Sequence, residues 1–420
     1  MLLRLRSMRE RILNLTQTRG YWSADLKMAG LDVEATLAQE YRKSKAKKKV
    51  NLTVNSYQDD TGGVYALPSV QKAEKFIHSM NLNKEYLPIL GDDKFCKSAI
   101  KFALGDDNDY INNGLAVSLQ TIGGSGALRV CFTLIRKFYD GNRIVFVPNP
   151  TWKYHEIIIR STGLEVGTYK YYDPMTKDVD FASMMEDIKK MPDRSVVLFN
   201  VCAHDPTGID PTTKQWSELS TRIRLKNILA VFDMPFQGLA SGNTEQDAFA
   251  IRKFVGDGNK VIFTQSFSET MCLYGERPGC LTVLVGNKDE ATKLSSQLKM
   301  IVRSLYSSPP INGSRIVVKI LEDPGLRADW RSELREMADR LVAVRKAFKQ
   351  ALLQLHSNVN WDHFDRSTGL VITCGLSVEQ IQKLTNEHFI FLNPNGRMAV
   401  SALNSKNIDY ITRCFHEVTK

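Results

Sequence analysis

Three stretches of the chain carry reactive residue types just beyond apolar runs: His204-Asp205-Pro206-Thr207-Gly208, Asp233-Met234-Pro235-Phe236-Gln237-Gly238 and Gln265-Ser266-Phe267-Ser268-Glu269. A fourth, Gly123-Gly124-Ser125-Gly126, is a glycine-rich turn that opens a helix predicted to run to about Phe138. Such a turn presents free backbone N–H groups and the positive end of the helix dipole, which suits a phosphate. Glycine turns before helices are common, so this one does not identify a ligand alone. Metal chemistry finds no support in the sequence. The seven histidines form no H-E-x-x-H or similar cluster, and Cys96, Cys131, Cys202, Cys272, Cys280, Cys374 and Cys414 are scattered without metal-type pairing. The cysteines read as reduced core thiols.

The elements that position these stretches alternate. Arg143–Val147, Ser195–Phe199, Ile228–Phe232, Lys260–Thr264 and Cys280–Val285 are short apolar runs that suit buried strands. Amphipathic helices are predicted between them, as at Phe181–Lys190 and Thr212–Lys226. Nearly continuous apolar strands alternating with helices argue an α/β fold, with a mostly parallel sheet covered by helices on both faces. In open sheets of this kind, ligands sit beyond the carboxyl ends of the strands. From about residue 316 the pattern changes. A long helix is predicted from about Ile316 to Leu353, broken or bent near Pro324-Gly325, then short strands around Gly369–Cys374 and Met398–Ser401 and a terminal helix from Ile408. This reads as a smaller α+β domain that packs with the N-terminal segment.

With 420 residues, the chain suits two closely packed domains; 43% hydrophobic and 24% charged residues is a globular composition. No run of ~18 apolar residues is present to span a membrane. The net charge of +10 is concentrated. Arg42 to Lys49 holds six cations; without interleaved aromatic residues for base stacking, it reads as a solvated surface rather than a nucleic-acid site. Residues 1–19 hold Arg4, Arg6, Arg9, Arg11 and Arg19 against Glu10 alone, and Leu2, Leu3, Leu5, Met8, Ile12 and Leu13 can share a helical face. That is the pattern of a mitochondrial transit peptide, removed near Arg19-Gly20-Tyr21, and it implies the mitochondrial matrix; an ordinary surface helix is the alternative.

Taken together, the stretches say more. Gln120–Arg129 (QTIGGSGALR), Asn149–Trp152 (NPTW), Cys202–Gly208 (CAHDPTG), Asp233 with Gln237–Gly242 (QGLASG), Gln265–Arg277 (QSFSETMCLYGER) and Tyr306–Gly313 (YSSPPING) occur in order, joined by Tyr86-Leu87-Pro88-Ile89 and Asn395-Gly396-Arg397. This series resembles the aspartate aminotransferase family of pyridoxal-phosphate enzymes, its mitochondrial branch best, from about Asp25 to Lys420. The resemblance implies the fold type I transferase architecture. It divides the chain into a transit peptide (1–21), an N-terminal segment packing with the small domain (22–65), a large cofactor-binding domain (66–320) and a small domain (321–420). It also implies pyridoxal phosphate as cofactor, small dicarboxylic amino acids and 2-oxo acids as substrates, and a homodimer.

Residue by residue, the resemblance implies that Asp233 pairs with the cofactor's ring nitrogen and that Trp152 stacks on the ring. Arg277, Ser266, Ser125 and the backbone at Gly124 would hold the phosphate. Arg397 would grip the substrate α-carboxylate. Arg303 would read the distal carboxylate, and Tyr86 the phosphate, each in the neighbouring subunit.

The departures fall at the reacting end. Glu269 stands in the lysine slot, and only an amine can form an imine with the cofactor aldehyde. A carboxylate there retains at most a general-base role. Phe236 replaces a tyrosine and Asp205 an asparagine, both directed at the ring hydroxyl. Asn200 fills a histidine slot behind Asp233, Tyr154 a second asparagine slot, Lys153 a glycine, Asn55 a small residue over the substrate, and Gly123 a phosphate-loop serine. Lysine to glutamate changes the pocket charge by −2 and asparagine to aspartate by −1, so −3 in all. A like-charge pair at ~4 Å repels by ~4 kcal/mol at an effective dielectric of about 20, which opposes anionic ligands. Lys153, beside Trp152, is the best nearby candidate for a replacement amine; Lys260 begins a strand and belongs at the far end of the sheet.

Two readings follow. One is an aspartate aminotransferase by descent, converting L-aspartate and 2-oxoglutarate to oxaloacetate and L-glutamate, strongly impaired by Glu269. The other is a non-catalytic homologue that keeps the dimeric scaffold and binds a dicarboxylate or an active paralogue.

Overall fold

The computed structural model describes residues 28–30 and 32–420. The proposed transit peptide and its cleavage site lie outside the described residues. The strands are β1 (Val50–Asn51), β2 (Ala116–Ile122), β3 (Ile144–Asn149), β4 (Glu165–Lys170), β5 (Tyr172–Asp173), β6 (Asp178–Val179), β7 (Val196–Asn200), β8 (Leu229–Met234), β9 (Lys260–Ser266), β10 (Pro278–Leu284), β11 (Val371–Thr373), β12 (Ile390–Phe391) and β13 (Arg397–Ala399). Seven form the central sheet in the order β2-β10-β9-β8-β7-β3-β4. The neighbouring pairs are parallel except where β10 lies antiparallel to β2 and β9.

The apolar runs form strands because both sheet faces are covered. In β8, Leu229 and Val231 face the helices Gly123–Phe138 and Lys288–Leu305. Ala230 and Phe232 face Phe181–Lys190, Thr213–Leu225 and Phe249–Gly256. Alternation of side chains across a strand puts each set in its own core, so the runs of β7 and β8 are apolar until their ends. β3 continues through Pro148 to Asn149, two residues past its apolar run, because Pro148 still pairs in register with Tyr169. β2 and β4 lack an uninterrupted apolar run: Ser118, Gln120 and Thr121 break β2, and Glu165, Thr168 and Lys170 break β4.

The long helix is broken at Pro324, as one of the two expected forms has it, and starts earlier, at Asn312. Asn312–Glu322 ends at Asp323, whose carboxylate accepts from the N–H groups of Gly325 and Leu326 and caps Pro324–Gln354. Beyond it, β11 pairs antiparallel with β13. β1, from the N-terminal segment, pairs in parallel with β12, so the first and last parts of the chain share hydrogen bonds and a core that includes Leu52, Tyr57, Trp330, Phe348 and Phe415. Among the described residues, no helix is long and apolar enough to cross a membrane.

Candidate active site

The carboxyl ends of β2, β3, β7, β8 and β9 point to one edge of the sheet. Because β10 runs the other way, its first residues reach that same edge and bring Arg277 with them. A cavity of about 200 Å³ opens there, lined by Asn55, Gly124, Ser125, Trp152, Tyr154, Asn200, Asp205, Asp233, Phe236, Ser266, Glu269, Arg277 and Arg397, with Leu128 and Pro235 completing the wall. Tyr86 and Arg303 are not among its lining. Tyr86 is 85% exposed; Arg303 lies on an exposed face of Lys288–Leu305 and donates to Ser307 Oγ at 2.7 Å.

Asn200, Asp233 and Thr264 stand side by side across β7, β8 and β9, as the strand register requires. Thr264 Oγ1 donates to Asp233 Oδ1 at 2.8 Å, and His155 Nε2 lies 3.1 Å from Asp233 Oδ2. His155 Nδ1 is 2.8 Å from Thr151 Oγ1; the tautomer that donates to Asp233 and accepts from Thr151 satisfies both contacts. Asp233 is thus buried and fixed by two partners that sequence reasoning missed. Asn200 does not play the part of a histidine behind it: its Oδ1 is buried without a partner. The signal for His155 lay in its spacing, one helical turn after Trp152, where the two rings meet edge to face with centroids 5.2 Å apart.

At the other end, Gly124 and Ser125 begin the helix Gly123–Phe138, which has no side-chain N-cap. The Gly123 N–H donates to the Arg277 carbonyl at 2.8 Å, so the N–H groups that follow it, those of Gly124 and Ser125, are the ones open to an anion. Arg277 Nη1 donates to Ser268 Oγ and to the Tyr274 carbonyl, both at 3.1 Å, which orients the guanidinium toward Gly123. A Cβ on Gly123 would come within 2.3 Å of Arg277 Nη2, and Gly123 has φ +66°; glycine is what lets the arginine lie against the turn. A serine there cannot be accommodated without moving Arg277.

Glu269 lies three residues after the end of β9 and accepts a hydrogen bond from Ser266 Oγ at 2.7 Å. That contact uses the one proton the Ser266 hydroxyl can donate, so a phosphate expected to draw on Ser266 has to compete with Glu269 for it. Burial pushes the Glu269 carboxyl up to about 7, against the opposing effects of the Ser266 hydrogen bond and Arg277, with Asp233 adding to the rise. Among the described residues, no lysine lines the cavity. Lys153 points away, 3.1 Å from Asp32 and 3.9 Å from Glu34, which removes it as a replacement amine. Lys260 is the first residue of β9, at the opposite end from Ser266.

Arg397 departs from expectation as well. Its Nε and Nη2 donate to Asp205 Oδ1 and Oδ2, each at 2.8 Å. The fork that was to grip a substrate carboxylate already holds one, and only Nη1 lacks a partner. The expected surplus of three negative charges is smaller in effect, because Asp205 is neutralised within the protein.

The N-terminal segment covers the mouth. Asp32 caps the helix Val33–Lys43 and accepts from Tyr154 Oη at 2.6 Å, and Asn55 Nδ2 donates to Glu34 at 3.0 Å. The Tyr154 hydrogen bond, with those from the Ala35 N–H and Lys153, draws the Asp32 carboxyl down to about 2. Three of the residues that depart from the family pattern, Asn55, Lys153 and Tyr154, are the ones that hold this segment.

The site thus fits pyridoxal phosphate in part. Gly124, Ser125 and Arg277 suit its phosphate, Asp233 its ring nitrogen, and the indole of Trp152 its ring. Among the described residues, no amine is in place for its aldehyde.

Residues 47–415 match the family model for aminotransferases of class I and II. The chain is 41% identical over 399 residues to the mitochondrial aspartate aminotransferase of Xenopus tropicalis, covering 95% of this chain and 93% of that one. It is 40% identical to that of Gallus gallus, covering 95% and 94%. Among solved structures, a mitochondrial aspartate aminotransferase from Trypanosoma brucei matches with a TM-score of 0.89 at 37% identity, over 92% of this chain and all (100%) of that one. An aromatic-amino-acid aminotransferase from Burkholderia pseudomallei, covalently bound to pyridoxal phosphate, matches with a TM-score of 0.92 at 32% identity, over 94% and 99%.

Proposed function

The chain belongs to the class I and II aminotransferase family, and from that premise we propose that it is an aspartate aminotransferase homologue that has lost transaminase turnover while keeping the cofactor cavity. The observation that carries this reading is Glu269, a half-buried carboxyl bonded to Ser266 where the family's chemistry needs an amine. Bound pyridoxal phosphate supplies an electron sink for reactions at an amino acid's α-carbon. Asp233, backed by His155 and Thr264, is suited to keep the ring nitrogen protonated. Gly124, Ser125 and Arg277 are suited to hold the phosphate. Of the two further tasks that one lysine performs, covalent attachment has no amine among the described residues of the cavity, and Glu269 retains at most the general-base part of the proton transfer. The Asp205–Arg397 pair also competes with the α-carboxylate of any amino-acid substrate.

The family reaction, L-aspartate and 2-oxoglutarate to oxaloacetate and L-glutamate, should therefore run at least ~10⁴-fold below an intact relative, given what loss of a combined nucleophile and proton carrier costs. The test is to incubate purified protein with pyridoxal phosphate, reduce with borohydride and map modified lysines. A stoichiometric adduct on any lysine of the chain would overturn the reading.

A second reading is favoured by Tyr86 and Arg303. Both keep the family residue and both lie outside this chain's own cavity. A subunit that lends them to an active relative's cavity, in a mitochondrial dimer, would retain them while its own reacting end diverged. Co-expression with such a relative, followed by assay of the purified mixed dimer, tests it. The mitochondrial assignment rests on the names of the relatives and the basic N-terminal pattern, and the homodimer on the family resemblance.

A further inference from the structure

The cavity keeps some ligand-binding chemistry and has closed off the rest. Its phosphate end is open: the uncapped start of the helix Gly123–Phe138 and the Arg277 guanidinium both line it. Its α-carboxylate end is closed, since Asp205 occupies the Arg397 fork. Between the two lie Trp152, Phe236 and the anchored Asp233, a setting for a flat ring with a basic nitrogen. Two polar atoms of buried residues in the wall, Asn200 Oδ1 and Arg397 Nη1, have no partner, and both residues are only 5% exposed. Buried polar groups are rarely left in that state, and unmet ones in a cavity wall point to a ligand.

Glu269 defines what that ligand carries. A lysine at this position offers an amine to an aldehyde; a glutamate offers a carboxylate to an ammonium. Counted along the side chain, glutamate reaches one atom less far than lysine, so a nitrogen carried by the ligand takes up the missing length. Ser266 stabilises one carboxylate oxygen, and a ligand ammonium would supply the counter-charge that burial withholds.

We propose that the cavity binds the amine form of the cofactor, pyridoxamine 5′-phosphate, non-covalently and in preference to the aldehyde form, with Glu269 as the residue that selects between them. This rests on the reading that no lysine of the cavity captures the aldehyde. An aldehyde offers Glu269 only an acceptor oxygen, which a carboxylate repels. The amine offers a charged donor.

The experiment is calorimetric titration of the full chain, stripped of ligand, with pyridoxamine 5′-phosphate and separately with pyridoxal 5′-phosphate. The amine form is expected to bind at least ~10-fold more tightly, the value of one charged hydrogen bond. Glu269→Gln should abolish that preference, and Glu269→Lys should invert it. Equal or tighter binding of the aldehyde, binding of neither form, or an unchanged preference in Glu269→Gln would each overturn the proposal. Borohydride reduction of the aldehyde-loaded protein separates the two readings. An adduct defeats the loss of covalent capture, whereas equal affinities without an adduct defeat only the selection by Glu269. Circular dichroism and melting of each variant establish that it is folded.

Discussion

Asp205 and Arg397 form a two-pronged ion pair across the cavity, with each carboxylate oxygen 2.8 Å from a different guanidinium nitrogen. The residues are 192 positions apart in sequence, one in the loop after β7 and the other at the start of β13. An asparagine at position 205 would offer one acceptor oxygen and no charge, leaving the fork able to take an incoming carboxylate. The aspartate supplies that carboxylate from within.

Asp205→Asn is therefore expected to create an anion site. The dissociation constant for L-aspartate should fall at least ~10-fold, since a hydrogen bond to a charged group contributes about 1.5–3 kcal/mol. Titration calorimetry on both proteins checks it. The same substitution should lower stability modestly, whereas Asp205→Ala should cost ~3–5 kcal/mol by leaving a buried guanidinium unpaired. Urea melts of the three proteins give that order.

Glu269 makes stability depend on pH in a direction opposite to an ordinary paired carboxylate. Its carboxyl is held at about 7 in the folded protein against an ordinary 4.5. Between these values the folded state holds the proton more tightly than the unfolded state, so stability falls as pH rises through the window and levels off above it. The full cost is at most about 3 kcal/mol. Asp210, raised by burial to about 6, acts in the same window, so the difference between wild type and Glu269→Gln isolates position 269. The variant should be the more stable at pH 8, with the advantage shrinking toward zero near pH 5. Denaturant melts across that range would miss any such trend if the carboxyl were solvated.

Asp32 holds the mouth segment in place through Tyr154, and its depressed carboxyl means the contact persists until pH falls toward about 2. Above the ordinary carboxylate value of 3.8 the interaction is fully present. Tyr154→Phe removes the 2.6 Å hydrogen bond and little else. The Asp32 carboxyl should then titrate nearer its ordinary value, and deuterium uptake over Val33–Lys43 should rise several-fold at neutral pH. Unchanged uptake would mean that β1 pairing alone holds the segment down.

What the sequence reveals of this site, and what it hides, follows from how each contact is encoded. The row Asn200, Asp233 and Thr264 sits where three apolar runs end, and buried parallel strands must be apolar almost to their last residue. The ligand edge is legible for that reason. Arg277 precedes a strand that runs the other way, which no apolar pattern reveals, and only its motif marks it. The pairing of Arg397 with Asp205 depends on how β13 packs over the sheet edge, so residue types at two distant positions could not show it. His155 was hidden by the replaced neighbours just before it: Lys153 and Tyr154 draw attention, yet both point to Asp32.

Restoring the amine alone should leave the cavity nearly inactive. Glu269→Lys supplies a nucleophile, and a borohydride-stable adduct with pyridoxal phosphate is expected by mass. Turnover needs more than attachment, because Arg397 stays committed to Asp205 and Phe236 has no hydroxyl to offer. Each missing charged or hydroxyl contact in a transition state typically costs one to two orders of magnitude, about 1.4–3 kcal/mol. Combining Glu269→Lys with Asp205→Asn and Phe236→Tyr should therefore exceed the single variant by at least ~100-fold in L-aspartate transamination, measured in a coupled oxaloacetate assay. If the single variant matches the triple one, the Asp205–Arg397 pair opens readily for substrate and is no barrier to it.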